Sequence, residues 1–267
     1  VNKPLTGINI LVTRPAHQAD DLAARICLAG GNPVLFPVLE ILDIGDQRPL
    51  LDLVARLDEF DLAIFISPNA VNKAMSLIQT KRSLPPTLKV AAVGQGTTRV
   101  LGNFGVNQVI APAMRFDSEA LLEMTELRQV QGKRIVIFRG DGGRELLGDG
   151  LLARGATLEY AECYRRVKPG TDAAPLLRAG ARGEINAITI TSSEGLRNLF
   201  DMVGEPGQVW LKKTPLFVSH ERIAQTARKL GLDQVIRTAA GDEGLVQGLL
   251  EYFQPEARGG DCTLGKS

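Results

Sequence analysis

The sequence predicts an α/β protein made of two doubly wound lobes with parallel sheets. Three observations carry that expectation. Short apolar runs rich in β-branched residues alternate with helical stretches, as in a parallel sheet covered on both faces. A strand–turn–helix–strand unit occurs twice, over residues 7–39 and 132–166. One constant offset of 125 positions relates the two copies.

Taken in order, the first copy opens on a strand over 8–13, followed by strands over 33–38, 62–67, 89–94 and 108–111. Helices are expected over 17–29, 50–57, 69–79, 97–103 and 118–126. In the second unit Ile135, Val136, Ile137 and Phe138 form an apolar run suited to a strand buried on both faces. The run stops at Arg139-Gly140-Asp141-Gly142-Gly143, which only a turn accommodates cheaply. Leu146, Leu147, Leu151 and Leu152 then recur at helical spacing. Gly155 marks the helix stop, and 158–164 is extended again.

The offset links Gly7 with Gly132, Arg14 with Arg139, and Gly30 with Gly155. It also lays DLAIFIS (61–67) on NAITITS (186–192), Val93 on Val218, and Asp117 on Asp242. The reading is an internal repeat of two copies, each of ordinary domain size. Phe36-Pro37-Val38 and Glu162-Cys163-Tyr164 fall at equivalent places. If both run between lobes and pair as a two-stranded linker, the lobes interleave: 1–36 with 168–255, and 39–163 inserted. Two consecutive domains, 1–128 and 129–255, are the alternative. The Gly-rich, charged tail 256–267 has no apolar period and is expected to be disordered.

Composition narrows the function. The chain has 267 residues, 44% hydrophobic and 23% charged, with a net charge of +1. A general nucleic-acid binder is not expected at that charge. No apolar run approaches the roughly 18–20 residues of a membrane helix, and the first residues lack a secretory pattern. Cys27, Cys163 and Cys262 are odd in number and far apart, which suits a reduced, cytoplasmic setting. GDCTLGKS (260–267) matches the phosphate-loop letters but lacks the preceding strand and following helix that the loop needs. No G-x-G-x-x-G occurs, and neither His17 nor His220 belongs to a cluster with metal spacing.

Four strand ends carry the candidate chemistry: Thr13-Arg14, Ser67-Pro68-Asn69, Gly94-Gln95-Gly96-Thr97 and Thr191-Ser192-Ser193. Ser and Thr at such places cap helices. Free amides and the helix dipole there also favour carboxylate or phosphate. Open α/β sheets bind ligands at the carboxyl ends of their strands, so two such rims facing one another would make a cleft. Arg14, Arg139 and Arg144 follow strand ends, and Arg grips carboxylates through paired hydrogen bonds. Tyr164 stands at the end of the second unit as either a packing residue or a phenol donor. The main competing reading is a non-catalytic two-lobed binder of an anionic small molecule, although such receptors usually carry a secretion signal. A nucleotide-using transferase built on the tail is the third reading.

The strings ILVTRP, FISPNAV, VAAVGQGTT, IFRGDGGRELL, the strand ending Cys163-Tyr164, ITITSSEGL and VSHERIAQTARKLG occur in that order. Together, over about 5–253, they resemble the uroporphyrinogen-III synthases. The resemblance implies two flavodoxin-like lobes joined by a two-stranded linker, in the interleaved arrangement. It implies a cytoplasmic, monomeric enzyme without cofactor or metal, in possible transient contact with the preceding pathway enzyme. The implied substrate is hydroxymethylbilane, an octacarboxylate linear tetrapyrrole, closed with loss of water and inversion of ring D. Tyr164 matches the family tyrosine proposed to assist departure of the hydroxyl. Arg14, Ser67, Thr97, Arg139, Arg144, Ser192, Ser193 and Ser219 are the expected substrate contacts.

Overall fold

The computed structural model describes residues 3–113, 117–142 and 145–254. In chain order the strands are β1 (Asn9–Val12), β2 (Asn32–Leu35), β3 (Glu40–Asp43), β4 (Leu62–Phe65), β5 (Lys89–Ala92), β6 (Val109–Ile110), β7 (Arg134–Gly140), β8 (Thr157–Val167), β9 (Ala187–Ile190), β10 (Leu216–Val218) and β11 (Val235–Arg237). The helices are α1 (Ala16–Leu28), α2 (Arg48–Ala55), α3 (Pro68–Lys81), α4 (Gln95–Asn103), α5 (Ser118–Glu123), α6 (Thr125–Arg128), α7 (Leu146–Ala153), α8 (Ala174–Ala181), α9 (Ser193–Leu211), α10 (Glu221–Lys229) and α11 (Gly241–Phe253). The chain divides into two compact units, Val1–Glu40 with Val167–Ser267 and Ile41–Arg166.

The first unit carries a five-stranded sheet in the order β11-β10-β9-β1-β2, whose neighbouring strands pair in parallel. Side chains alternate between its faces, as the pleat requires. Leu11, Ile188, Ile190, Leu216 and Val218 pack with α9 and α10. Ile10, Val12, Ala187 and Phe217 pack with α1 and α11. Both faces are therefore covered, which explains why these strands read as unbroken apolar runs.

The second unit carries a six-stranded sheet in the order β3-β8-β7-β4-β5-β6. Ala63, Phe65, Val90, Ala92, Val136 and Phe138 meet α2 and α3 on one face. Phe65 and Phe138 stack there with ring centres 4.7 Å apart. Leu62, Ile64, Ala91, Ile135 and Ile137 meet α5 and α7 on the other face. At Gly30 and Gly155 the chain turns out of α1 and α7 with φ of +91° and +81°. Only glycine adopts that conformation at little cost, so both positions end their helices as the sequence predicts.

Three expectations need correction. The strand over 33–38 stops at Leu35. Pro37 has no N–H to give, and Phe36 and Val38 instead donate to the Val12 and Thr13 carbonyls at 3.0 and 3.2 Å. The pairing of Phe36-Pro37-Val38 with Glu162-Cys163-Tyr164 does not form. Glu162 and Tyr164 pair with Arg139 and Gly140 of β7, and the strand on the other side of β8 is β3. The helix over 118–126 breaks at Met124, whose ψ of 141° is extended, leaving α5 and α6. Arg144 and the tail 256–267, with its phosphate-loop letters, lie outside the described residues.

Candidate active site

In the second unit the parallel register sets Phe65, Ala92 and Phe138 side by side. The residues that follow them therefore share one rim: Ser67 after β4, Gly94 after β5 and Gly140 at the end of β7. Tyr164 joins the rim through β8, whose register shifts between Arg139 and Gly140. Arg139 pairs with Glu162 but Gly140 pairs with Tyr164, so Cys163 is an extra residue in the ladder. A bulge of this kind redirects the side chain that follows it. Ala161, Cys163 and Tyr164 accordingly all enter the same core as Phe65 and Phe138.

The redirected Tyr164 is only 4% exposed, and its Oη lies 3.0 Å from Ser67 Oγ. Ser67 is also the N-cap of α3 and accepts from the Ala70 N–H at 3.2 Å. Burial raises the Tyr164 phenol above its ordinary value; the Ser67 hydrogen bond and the Arg166 charge pull the other way. The group is therefore a neutral donor near pH 7. The thiol beside it, Cys163, is pushed up to about 12 by burial and is inert as a nucleophile.

The other expected contacts are distributed as follows. Thr97 is buried in the first turn of α4, a helix whose N-cap, Gly94, supplies no side-chain cap. Arg139 is 5% exposed. Its Nε donates to the Gly142 carbonyl at 3.0 Å and its guanidinium lies 4.7 Å over the Tyr160 ring. In the first unit, Arg14 forms a 2.5 Å ion pair with Asp242 in the first turn of α11. Ser192 caps α9 by accepting from the Gly195 N–H at 2.9 Å. Ser193 accepts from the Thr226 hydroxyl at 3.2 Å. Ser219 is half-buried after β10, two residues before α10, whose N-cap His220 makes no side-chain cap hydrogen bond.

The structure thus brings Tyr164 and Ser67 together, while Arg14, Arg139 and Ser193 have partners within their own units. Gly140 and Asp242 were not foreseen. Asp242 pairs with Arg14 and Gly140 with Tyr164; the repeat offset from Asp117 and the glycine after Arg139 are the sequence signals that mark the two positions. A pocket of about 370 Å³ also opens on the second unit, beside Asp46, Asp141, Glu162 and Arg165. Three carboxylates against one guanidinium make poor lining for a polycarboxylate.

No helix among the described residues is long and apolar enough to cross a membrane. The family model described as uroporphyrinogen-III synthase HemD matches residues 20–247. A uroporphyrinogen-III synthase of Escherichia coli is 35% identical over 246 residues, covering 91% of this chain and 100% of the relative. One from Salmonella typhimurium is 34% identical with the same coverage. A mutant uroporphyrinogen III synthase crystal structure from Thermus thermophilus aligns with a TM-score of 0.67 at 18% identity, covering 93% of this chain and 100% of that one. The Helicobacter pylori structure aligns at 0.56 with 15% identity, over 92% and 99%. At such identities the two structures speak to the fold alone.

Proposed function

Because the chain belongs to the uroporphyrinogen-III synthase family, a family of cyclising lyases in tetrapyrrole synthesis, we propose that it uses hydroxymethylbilane as substrate, with Tyr164 as the general acid. The observation that carries the role of Tyr164 is its buried phenol, hydrogen-bonded to the N-cap serine of α3 at the strand-end rim. The C–O bond of the ring A hydroxymethyl group breaks, and the oxygen leaves as water with the phenol proton. The resulting azafulvenium cation is attacked by the ring D carbon that already bears the C–D bridge. The spiro intermediate fragments and recloses with ring D reversed. The proton lost as the last pyrrole regains aromaticity restores the phenol. The phenol carries its proton at neutral pH, as a general acid must, while burial makes it a weaker acid than a free tyrosine, so its contribution rests on where it is held.

The acetate and propionate arms call for amide and guanidinium contacts. Ser67, Thr97, Arg139, Arg144, Ser192, Ser193, Ser219 and Arg14 remain the proposed binding set. Of these, Thr97 lies in the first turn of α4 and Ser219 just before α10, at helix starts whose dipoles favour an anion. We further read the chain as a cytoplasmic monomer with an interleaved internal repeat. Supporting the repeat, the offset maps β1, β2, β4, β5 and β6 onto β7, β8, β9, β10 and β11. The orders β11-β10-β9-β1-β2 and β6-β5-β4-β7-β8 correspond strand for strand. The test of function is to supply hydroxymethylbilane and separate products by chromatography. Type III isomer supports the reading; only the type I isomer of spontaneous closure rejects it.

A further inference from the structure

We propose that Gly140 is the positioning residue that seats Tyr164 against Ser67. This rests on the reading of Tyr164 as the acid. The bulge at Cys163 turns Tyr164 toward Gly140, its ladder partner across β7 and β8. A Cβ built on Gly140 would stand 2.7 and 2.8 Å from the Tyr164 ring carbons Cε2 and Cζ. Those are ring atoms held by a packed core, so they have nowhere to yield. The backbone of Gly140 itself is in a strand and not in the left-handed region. Glycine is therefore required there for space and not for backbone conformation.

The seat has two more anchors. The Asp141 N–H donates to the Tyr164 carbonyl at 2.8 Å, fixing the main chain just beyond the bulge. Ser67 Oγ fixes the other end of the side chain at 3.0 Å. One Ser67 lone pair is taken by the Ala70 N–H. Ser67 still has one hydrogen to give. Giving it to Tyr164 Oη leaves the phenol's own hydrogen free for the departing hydroxyl. Displacing the ring by a Cβ at Gly140 breaks this alignment without touching substrate, and small misplacements of a catalytic group cost rate steeply.

The test compares native enzyme with Gly140→Ala, Tyr164→Phe and the double variant, using hydroxymethylbilane. Gly140→Ala is expected to lower kcat at least tenfold with KM within about twofold, and to add less than about twofold to the loss in Tyr164→Phe. Ultraviolet titration of the three tyrosines should show one phenol moving down toward the ordinary range in Gly140→Ala. Unchanged kcat, or an equal loss on both backgrounds, overturns the proposal. Full activity in Tyr164→Phe alone removes the acid reading; the titration then still decides whether Gly140 seats the ring. If Gly140→Ala does not fold, adding Tyr164→Ala relieves the clash and restores a cooperative melt. Failure to restore it overturns the proposal.

Discussion

Ser67 and Ser192 stand at the same place in the two units, 125 positions apart, and do the same structural work. Each follows a four-residue buried strand, each starts a helix, and each accepts from the backbone N–H three residues on, at 3.2 and 2.9 Å. Their surroundings differ. Beside Ser67 stands the Tyr164 phenol, seated by Gly140. The positions 125 before Tyr164 and Gly140 are Leu39 and Pro15. In that unit the chain after β2 is held instead by Asn198, whose side-chain N–H donates to the Val38 carbonyl at 2.9 Å. One rim carries the phenol; the other carries the Ser192 cap, the Arg14–Asp242 ion pair and the Ser193–Thr226 hydroxyl pair. Two copies of one scaffold have kept the cap and diverged in what stands next to it.

Replacing each serine sharpens that contrast. Ser67→Ala and Ser192→Ala should each cost about 1 kcal/mol of stability through the lost cap. Only Ser67→Ala should also lower kcat, by about tenfold, and push the Tyr164 phenol further up, since the Ser67 hydrogen bond now holds it down. Equal catalytic losses in the two variants would erase the distinction between the rims.

Arg14 gives the next largest effect. Its ion pair with Asp242 is mostly shielded, at 17% and 19% side-chain exposure. Arg14→Ala should lower stability by about 1 kcal/mol, read from thermal or urea unfolding. A large rise in KM with unchanged melting would instead show that Arg14 leaves Asp242 to hold a carboxylate.

The smallest effect is electrostatic and belongs to the second unit. Arg56 and Arg134 hold the Glu159 carboxylate below its usual range; the Arg134 N–H and the Lys133 side chain do the same for Asp61. Both folded values lie below the unfolded ones. Their contribution is complete above the unfolded carboxylate value of about 4 and is lost as pH falls through the folded values. Both side chains are partly exposed, at 33% and 42%, so solvent screens the gain. Melting followed from pH 7 down to 3 should show a modest acid loss that shrinks in Arg56→Ala. An unchanged acid limb would remove this cluster from the account.

Much of the fold was legible because it is written in periodicity. The buried strands are apolar runs, and Gly30 and Gly155 mark helix ends that only glycine fills cheaply. β3 was not legible: Glu-Ile-Leu-Asp is four residues long, half exposed, and carries no pattern that separates it from a loop. The site was less legible than the fold. Alternation along β7 puts Arg139 on the face of Ile135 and Ile137, which explains its burial, yet a strand-end Arg reads equally as a ligand contact. The bulge at Cys163 is a matter of register between two strands, and register is not carried by either strand alone. Without it Tyr164 would point to the opposite face, with Glu162.

The most direct test is a single comparison of Tyr164→Phe with the native enzyme on hydroxymethylbilane, resolving the isomers formed and the rate of each. Loss of the phenol proton should slow type III formation by about a hundredfold, so that spontaneous type I product dominates while melting stays within a few degrees. Type III product at the native rate, from a variant that melts normally, would contradict the assignment of the chemistry to this rim.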